Sequence, residues 1–304
     1  MTRNVELGGF LRASRARLLP ADVGLDPVGS VTTAQGGRRV SGLRREEVAR
    51  LAGVSADYYA KLEQGRTKQP SASVLGALAT ALRLNDTERE YLLTLVQPHV
   101  VRGEHGSQVP ARVRPGARRL LGTFTNAPAF IMGRGTAILA MNDLAKALFF
   151  DLDDRPAALR NLTVWTFLDP EARDRYVDWR LVAADNAAIL RMDAASSPDD
   201  PDIAAIVGML SVKSDEFQDM WRERRVYECT YGRKQFDHPV VGRMDLDYEA
   251  LDVPGSPGQS LHVYSAAPGS PSDKALVRLA QWTSGDAGIS AIGVVEGSDI
   301  GPRA

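Results

Sequence analysis

Over residues 5–18 the apolar side chains Leu7, Leu11 and Leu18 fall on one helical face, and Arg12, Arg15 and Arg17 lie off it. Residues 20–42 lose this period and hold two prolines and five glycines, so a loop ending in Arg38 and Arg39 is expected. A short helix follows over about residues 44–52, with Val48, Ala49 and Ala52 as its small apolar face. Then comes GVSADYYAKLEQGRTKQPS, in which Gly53 suits a turn, Ser55 can cap a helix, and Gly65 stops it. After Pro70, Ser71 or Ser73 can cap a helix that buries Val74, Leu75, Leu78, Leu82 and Leu84, and a fifth helix is predicted over residues 86–96. Five helices predict an all-α domain over residues 1–97.

Residues 98–117 are broken by three prolines and three glycines and read as a linker. Beyond them TAILAMN predicts a strand, DLAKALFF a helix, and RDRYVDWRLVAADNAAILRM a longer helix, with two more over about 201–209 and 214–224. RRVYECT, GRKQF, VGRMDLDYEAL and QSLHVYSAA are four β-rich runs, divided by turn signals at Tyr231-Gly232, His238-Pro239 and PGSPG. Consecutive short strands beside helices predict an α+β domain with an antiparallel sheet over residues 118–280. Residues 281–304 are Gly-rich and aperiodic and are expected to form a disordered tail.

Composition adds the functional contrast between the halves. The 304 residues suffice for two domains, and 44% hydrophobic with 25% charged residues is the balance of a soluble globular chain. The one cysteine, Cys229, rules out an internal disulfide. With no leader pattern at the start and no apolar run long enough to span a membrane, a cytoplasmic protein without a membrane span is expected. Residues 1–120 carry 19 Lys and Arg against 11 Asp and Glu, whereas the remainder carries 18 against 27. A basic front half suits a polyanionic partner; the alternative is surface charge without a function.

The second and third helices have the makings of a helix-turn-helix: small Ala49 where the helices cross, Gly53 at the turn, and Tyr59 and Leu62 facing inward. The opposite face shows Ala56, Asp57, Tyr58, Ala60 and Lys61. Asp57 and Lys61 could read base edges in a major groove, with Tyr58 on a base or the backbone. Arg44, Arg45, Arg66 and Lys68 flank that face and could neutralise phosphates, so the candidate DNA set is these cations with Ser55, Ala56, Asp57, Tyr58 and Lys61. The plainer alternative is a helix pair in an ordinary bundle, with the tyrosines as core.

The segment GLRREEVARLAGVSADYYAKLEQGRTKQPSASVLGALATALRL closely resembles the xenobiotic-response-element-type helix-turn-helix regulators. Within that class it is similar to the branch whose C-terminal half is an MmyB-like ligand-binding domain. AMNDLAKALF, NLTVWTFLDPEARDRYVDW, Leu190-Arg191, SDEFQDMW and HPVVGRMDLDY resemble recurring segments of that domain, so the resemblance covers about residues 5–280. It implies a PAS-like fold, a sheet with helices around an apolar pocket, and as ligand a small apolar molecule such as a fatty acid.

Phe130, Met141, Phe149, Trp165, Phe167, Trp179, Phe217 and Trp221 are the candidate lining, although close-packed core is the default for such residues. Arg191, Arg222 or His238 could pair with a ligand carboxylate. The chain lacks the phosphate-loop, nucleophile-elbow, dinucleotide and HExxH patterns, and its four histidines and one cysteine show no zinc spacing. No enzyme, cofactor or metal is therefore expected. The expected function is a sequence-specific transcriptional regulator, a repressor acting as a homodimer on an inverted repeat in double-stranded DNA. The alternative is a scaffold or antitoxin-like protein whose helix-turn-helix binds another protein.

Overall fold

The computed structural model describes residues 3–25, 42–67, 69–96, 112–227 and 230–285. The N-terminal domain is formed by α1 (Arg3–Arg17), a 3-10 turn at Pro20–Val23, α2 (Arg45–Leu51), α3 (Ala56–Glu63), α4 (Ala72–Ala81) and α5 (Asp86–Val96). Leu7, Phe10 and Leu11 of α1 meet Val48 and Ala49 of α2, Tyr59 and Leu62 of α3, Leu75 and Leu78 of α4, and Tyr91 and Leu92 of α5 in one core. Of the two serines that could start α4, Ser71 is the cap, accepting the Val74 N–H at 3.4 Å. Most of the predicted 20–42 loop, residues 26–41, lies outside the described residues.

The C-terminal domain is a five-stranded antiparallel sheet with helices, as the α+β reading requires. Its elements are α6 (Pro115–Gly122), β1 (Ala129–Met132), β2 (Ile138–Met141), α7 (Asp143–Leu148), α8 (Leu162–Leu168), α9 (Pro170–Arg175), α10 (Trp179–Ser196), α11 (Pro201–Lys213), α12 (Asp215–Glu223), β3 (Tyr231–His238), β4 (Gly242–Asp252), β5 (Ser260–Ser265) and α13 (Pro271–Thr283). Strand order is β2-β1-β5-β4-β3. Register places Phe130 opposite both His262 and Met141, Tyr248 opposite Tyr264, and Lys234 opposite Leu246. These residues share the face that α7, α8 and α13 cover. On the other face Leu121 of α6 packs with Ala129, Ile131, Ala140 and Leu261.

Several expectations are corrected. RRVYECT is not a strand over its described residues 224–227 and 230: Arg224 ends α12 in a left-handed conformation, φ +54°, and β3 begins only at Tyr231. Tyr231-Gly232 is strand rather than turn, and Gly232 leaves room for the Tyr248 ring across the ladder, since a Cβ there would stand 3.0 Å from the Tyr248 hydroxyl. The long helix divides at Tyr176, which bridges to Phe236 while the Val177 N–H donates to Gln235 O at 3.1 Å, so the break covers the edge of β3. Asp178 then starts α10 by accepting the Leu181 N–H. Strand β1 and helices α6, α8 and α13 lie where no element is predicted. α6 begins at Pro115, inside the stretch read as linker, and α13 runs to Thr283, past the expected start of the tail; residues 286–304 are not described.

Phe149 is the hub of the inner face, with ring centroids 5.4 Å from Tyr264, 5.5 Å from Phe130, 5.7 Å from Phe236 and 6.0 Å from Trp165. Phe149→Ala is expected to destabilise the C-terminal domain by about 3–5 kcal/mol, and Phe149→Leu by much less, in denaturant unfolding followed by near-ultraviolet dichroism. Equal effects would remove Phe149 from this role.

Candidate nucleic-acid interface and ligand site

The turn between α2 and α3 is made as its sequence demands. Gly53 has φ +66°, and Ser55 accepts the Tyr58 N–H at 3.1 Å. Tyr59 and Leu62 are wholly buried, which fixes the rotation of α3 and leaves Ala56, Asp57 and Lys61 exposed with Tyr58 half-buried. Lys61 Nζ lies 2.6 Å from Asp57 Oδ2 one turn away. Exposed pairs of this kind contribute only a few tenths of a kcal/mol, roughly, so a phosphate or base edge can take over the lysine. Arg44 and Arg66 are exposed, and Lys68 lies outside the described residues.

Arg45 differs from the other flanking cations, because its Nε is 2.7 Å from Glu63 Oε2. Arg15 of α1 donates to Glu63 Oε1 at 2.6 Å and to Leu43 O at 2.6 Å. Burial raises the Glu63 carboxyl, but its two arginine partners outweigh burial and hold it below the usual carboxylate range. Glu63 is therefore the internal fastening of α3, a residue absent from the predicted set. Its signal is position: it follows Tyr59 by four residues and so shares the inward face.

In the second domain Phe130, Phe149, Trp165, Phe167, Trp179 and Phe217 lie in one buried cluster, with Met141 and Trp221 packed against it. The two expected carboxylate partners in that set stand elsewhere. Arg191 is turned to the domain boundary, where it bonds Glu6 of α1 and the Trp221 carbonyl. His238 has both nitrogens in use: Nδ1 accepts the Val240 N–H at 3.2 Å and Nε2 faces Ala147 O at 3.1 Å. Burial, with Arg175 nearby, lowers its pKa, so it is a neutral fastening of the β3–β4 turn. Arg222 is exposed and held by Asp219 and Gln218 at 2.6 Å each.

Other polar groups occupy the interior. Lys234 is buried with its ammonium 3.9 Å from Asp185 and 5.4 Å from the centre of the Tyr248 ring. His262 is stacked on Phe130 at 4.9 Å, and burial together with Lys234 pushes its pKa down to about 4. The Trp165 indole N–H is buried and has no hydrogen-bond partner among the described residues. Lys234 was legible in one respect: it alternates with Phe236 and His238 on a single strand face.

A helix-turn-helix domain joined to an α+β domain with an aromatic interior is the architecture of a ligand-responsive transcription regulator. The family model of the helix-turn-helix domain matches residues 6–92. That of the MmyB-like transcription regulator ligand binding domain matches residues 113–280, more than half of the chain, and the chain belongs to this family. Comparison with curated proteins gave no match. Among the described residues no helix is long and apolar enough to cross a membrane, and no group of three or more His, Cys, Asp or Glu could hold a metal.

Two buried groups give opposing pH dependences. Asp193 accepts the Gly135 N–H at 2.7 Å, yet burial pushes its pKa up to about 6. The folded chain keeps that proton where the unfolded chain has released it, so this group lowers stability as pH rises from 3.8 to about 6. His262 stays neutral when folded, and its contribution is lost as pH falls from 6.5 to about 4. In the parent protein the two slopes offset each other. Asp193→Asn should expose the histidine slope, an extra loss of about 3 kcal/mol between those limits. Urea unfolding at a series of pH values tests this, and parallel profiles for parent and variant would refute it.

Proposed function

We propose that this protein is a transcriptional repressor that binds an inverted repeat in double-stranded DNA as a homodimer and senses a small apolar ligand of the fatty-acid type. The observation that carries the DNA reading is the placement of α3. The ligand-binding domain meets the helix-turn-helix domain at its back, where α10 packs on α5, and the outward face of α3 stays open. Asp57, Tyr58 and Lys61 are then the base-reading groups, Ser55 and Ala56 border the backbone at the start of α3, and Arg44, Arg66 and Lys68 neutralise phosphates. Arg45 supports the helix through Glu63 and adds a weaker phosphate contact.

For the ligand, the aromatic cluster around Phe130, Phe149, Trp165, Phe167 and Phe217 supplies apolar surface. Lys234 and the Trp165 N–H supply polar groups that suit an acidic head, in place of Arg191 and His238. Ligand would shift the dimer between two arrangements of different DNA affinity.

The DNA reading is tested by selecting duplexes from a random-sequence pool with the full-length protein. Enrichment of an inverted repeat, with affinity falling steeply as salt rises, is expected. Failure to enrich any sequence would favour a protein partner instead. On the selected duplex, Lys61→Ala should cost about 1–3 kcal/mol and relax preference at one base pair, whereas Arg66→Ala should weaken all sequences alike.

For the ligand, mass spectrometry of the protein, native and after solvent extraction, should find an acidic amphiphile that Lys234→Met no longer retains. Equal retention by that variant would remove Lys234 from the site.

A further inference from the structure

Glu6 lies in the first turn of α1, and its carboxylate reaches out of its own domain. One oxygen accepts from Arg191 of α10 and from the Tyr91 hydroxyl, the latter at 3.0 Å. The other lies 2.5 Å from Nη1 of Arg224, which follows α12. Arg191 is 2% exposed, lies with its guanidinium 3.9 Å from the centre of the Trp221 ring, and also donates to the Trp221 carbonyl. Trp221 in turn stacks on Phe217 at 5.3 Å, inside the aromatic cluster. Met192, Ala195 and Val226 pack against the helix-turn-helix core around this charged centre. The Arg224 guanidinium lies directly over Gly9 of α1, with Cζ 2.2 Å from where a Cβ on that glycine would stand.

Burial alone would raise the Glu6 carboxyl, but Arg191 and Arg224 reverse this and hold it below the usual range. The carboxylate is thus charged when docked, and the two arginines form a fork that accepts one anion. The same helix fastens α3 through Arg15 and Glu63. One element therefore touches both the aromatic cluster's border and the recognition helix.

We propose that Arg191, Arg224 and Trp221 form a socket in the ligand-binding domain that captures Glu6 and fixes the helix-turn-helix domain in one orientation. That fixed orientation lets the two copies of a dimer engage both half-sites of an operator. This rests on the dimeric DNA-binding reading above. Two recognition helices on loose tethers bind independently, whereas two held at the right spacing bind the second half-site as an intramolecular step.

The test compares parent, Glu6→Gln and Arg224→Gln as full-length proteins on duplexes carrying one or both half-sites of the sequence selected by the parent. The parent should bind the two-site duplex roughly a hundredfold tighter than the single site. Both variants should keep the single-site affinity and lose about tenfold or more of that gain. A full gain in the variants would overturn the socket. Absence of any gain in the parent would mean that the dimer reading has failed instead.

Spin labels on Thr80→Cys and Val212→Cys in a Cys229→Ser background then test the socket alone. Both label sites are exposed, one in each domain. A narrow distance distribution in the parent that broadens in the variants supports the socket, and an unchanged distribution overturns it. Should Glu6→Gln fail to fold, Arg224→Gln, whose side chain is 18% exposed, carries both measurements.

Discussion

Glu63 ends the recognition helix with a side chain that has no exposed surface, and Arg15 and Arg45 meet its two oxygens from different helices. An unpaired buried carboxylate would cost several kcal/mol, on the order of what a small domain has in total stability. The pairing therefore ties α1, α2 and α3 to one geometry. Glu6 repeats the device at the other end of α1, with the ligand-binding domain supplying the arginines. Both ends of the first helix are held by charges that tolerate little misplacement, which makes that helix the strut of the whole chain.

The ligand-binding domain is organised differently. Its inner face is a continuous set of aromatic contacts from His262 and Phe130 through Phe149 to Trp165 and Phe236, with edge-on packing at most contacts. A buried lysine, a neutral histidine and an indole N–H without a hydrogen-bond partner among the described residues lie within or beside it. Polar groups in such surroundings are held at a cost in stability, and that cost is expected where an interior has a ligand to recognise.

Much of this was legible along the chain. The helices of the first domain declare themselves through the apolar stripe each buries, and α3 and α4 also through the serines that cap them, Ser55 and Ser71. The turn at Gly53 and the inward pair Tyr59 and Leu62 follow from the same rules. Strand β1 hid because AFIM is covered on both sides of the sheet, which removes the alternation that marks a half-exposed strand. Helix α13 hid behind glycines, prolines and serines that resemble a tail until Ala275, Leu276 and Leu279 find the sheet. The ten aromatic, apolar and charged candidates for the ligand site divided by chemistry: eight entered one cluster, while Arg191 and His238 found protein partners.

What the sequence by itself determined is local: the helix-turn-helix and its outward residues, the contrast between a basic and an acidic half, and an α+β second domain. Periodicity, capping and composition are properties of neighbours along the chain, so they can be read there. Tertiary structure alone decided which charges meet. Arg191 faces Glu6 across 185 positions, the exposed Arg45 reaches back to Glu63, and Lys234 is buried on the inner face of the sheet. A charged side chain on a helix or strand carries no mark of its partner, because the free energy of burying it depends on a countercharge that only the folded chain brings within reach.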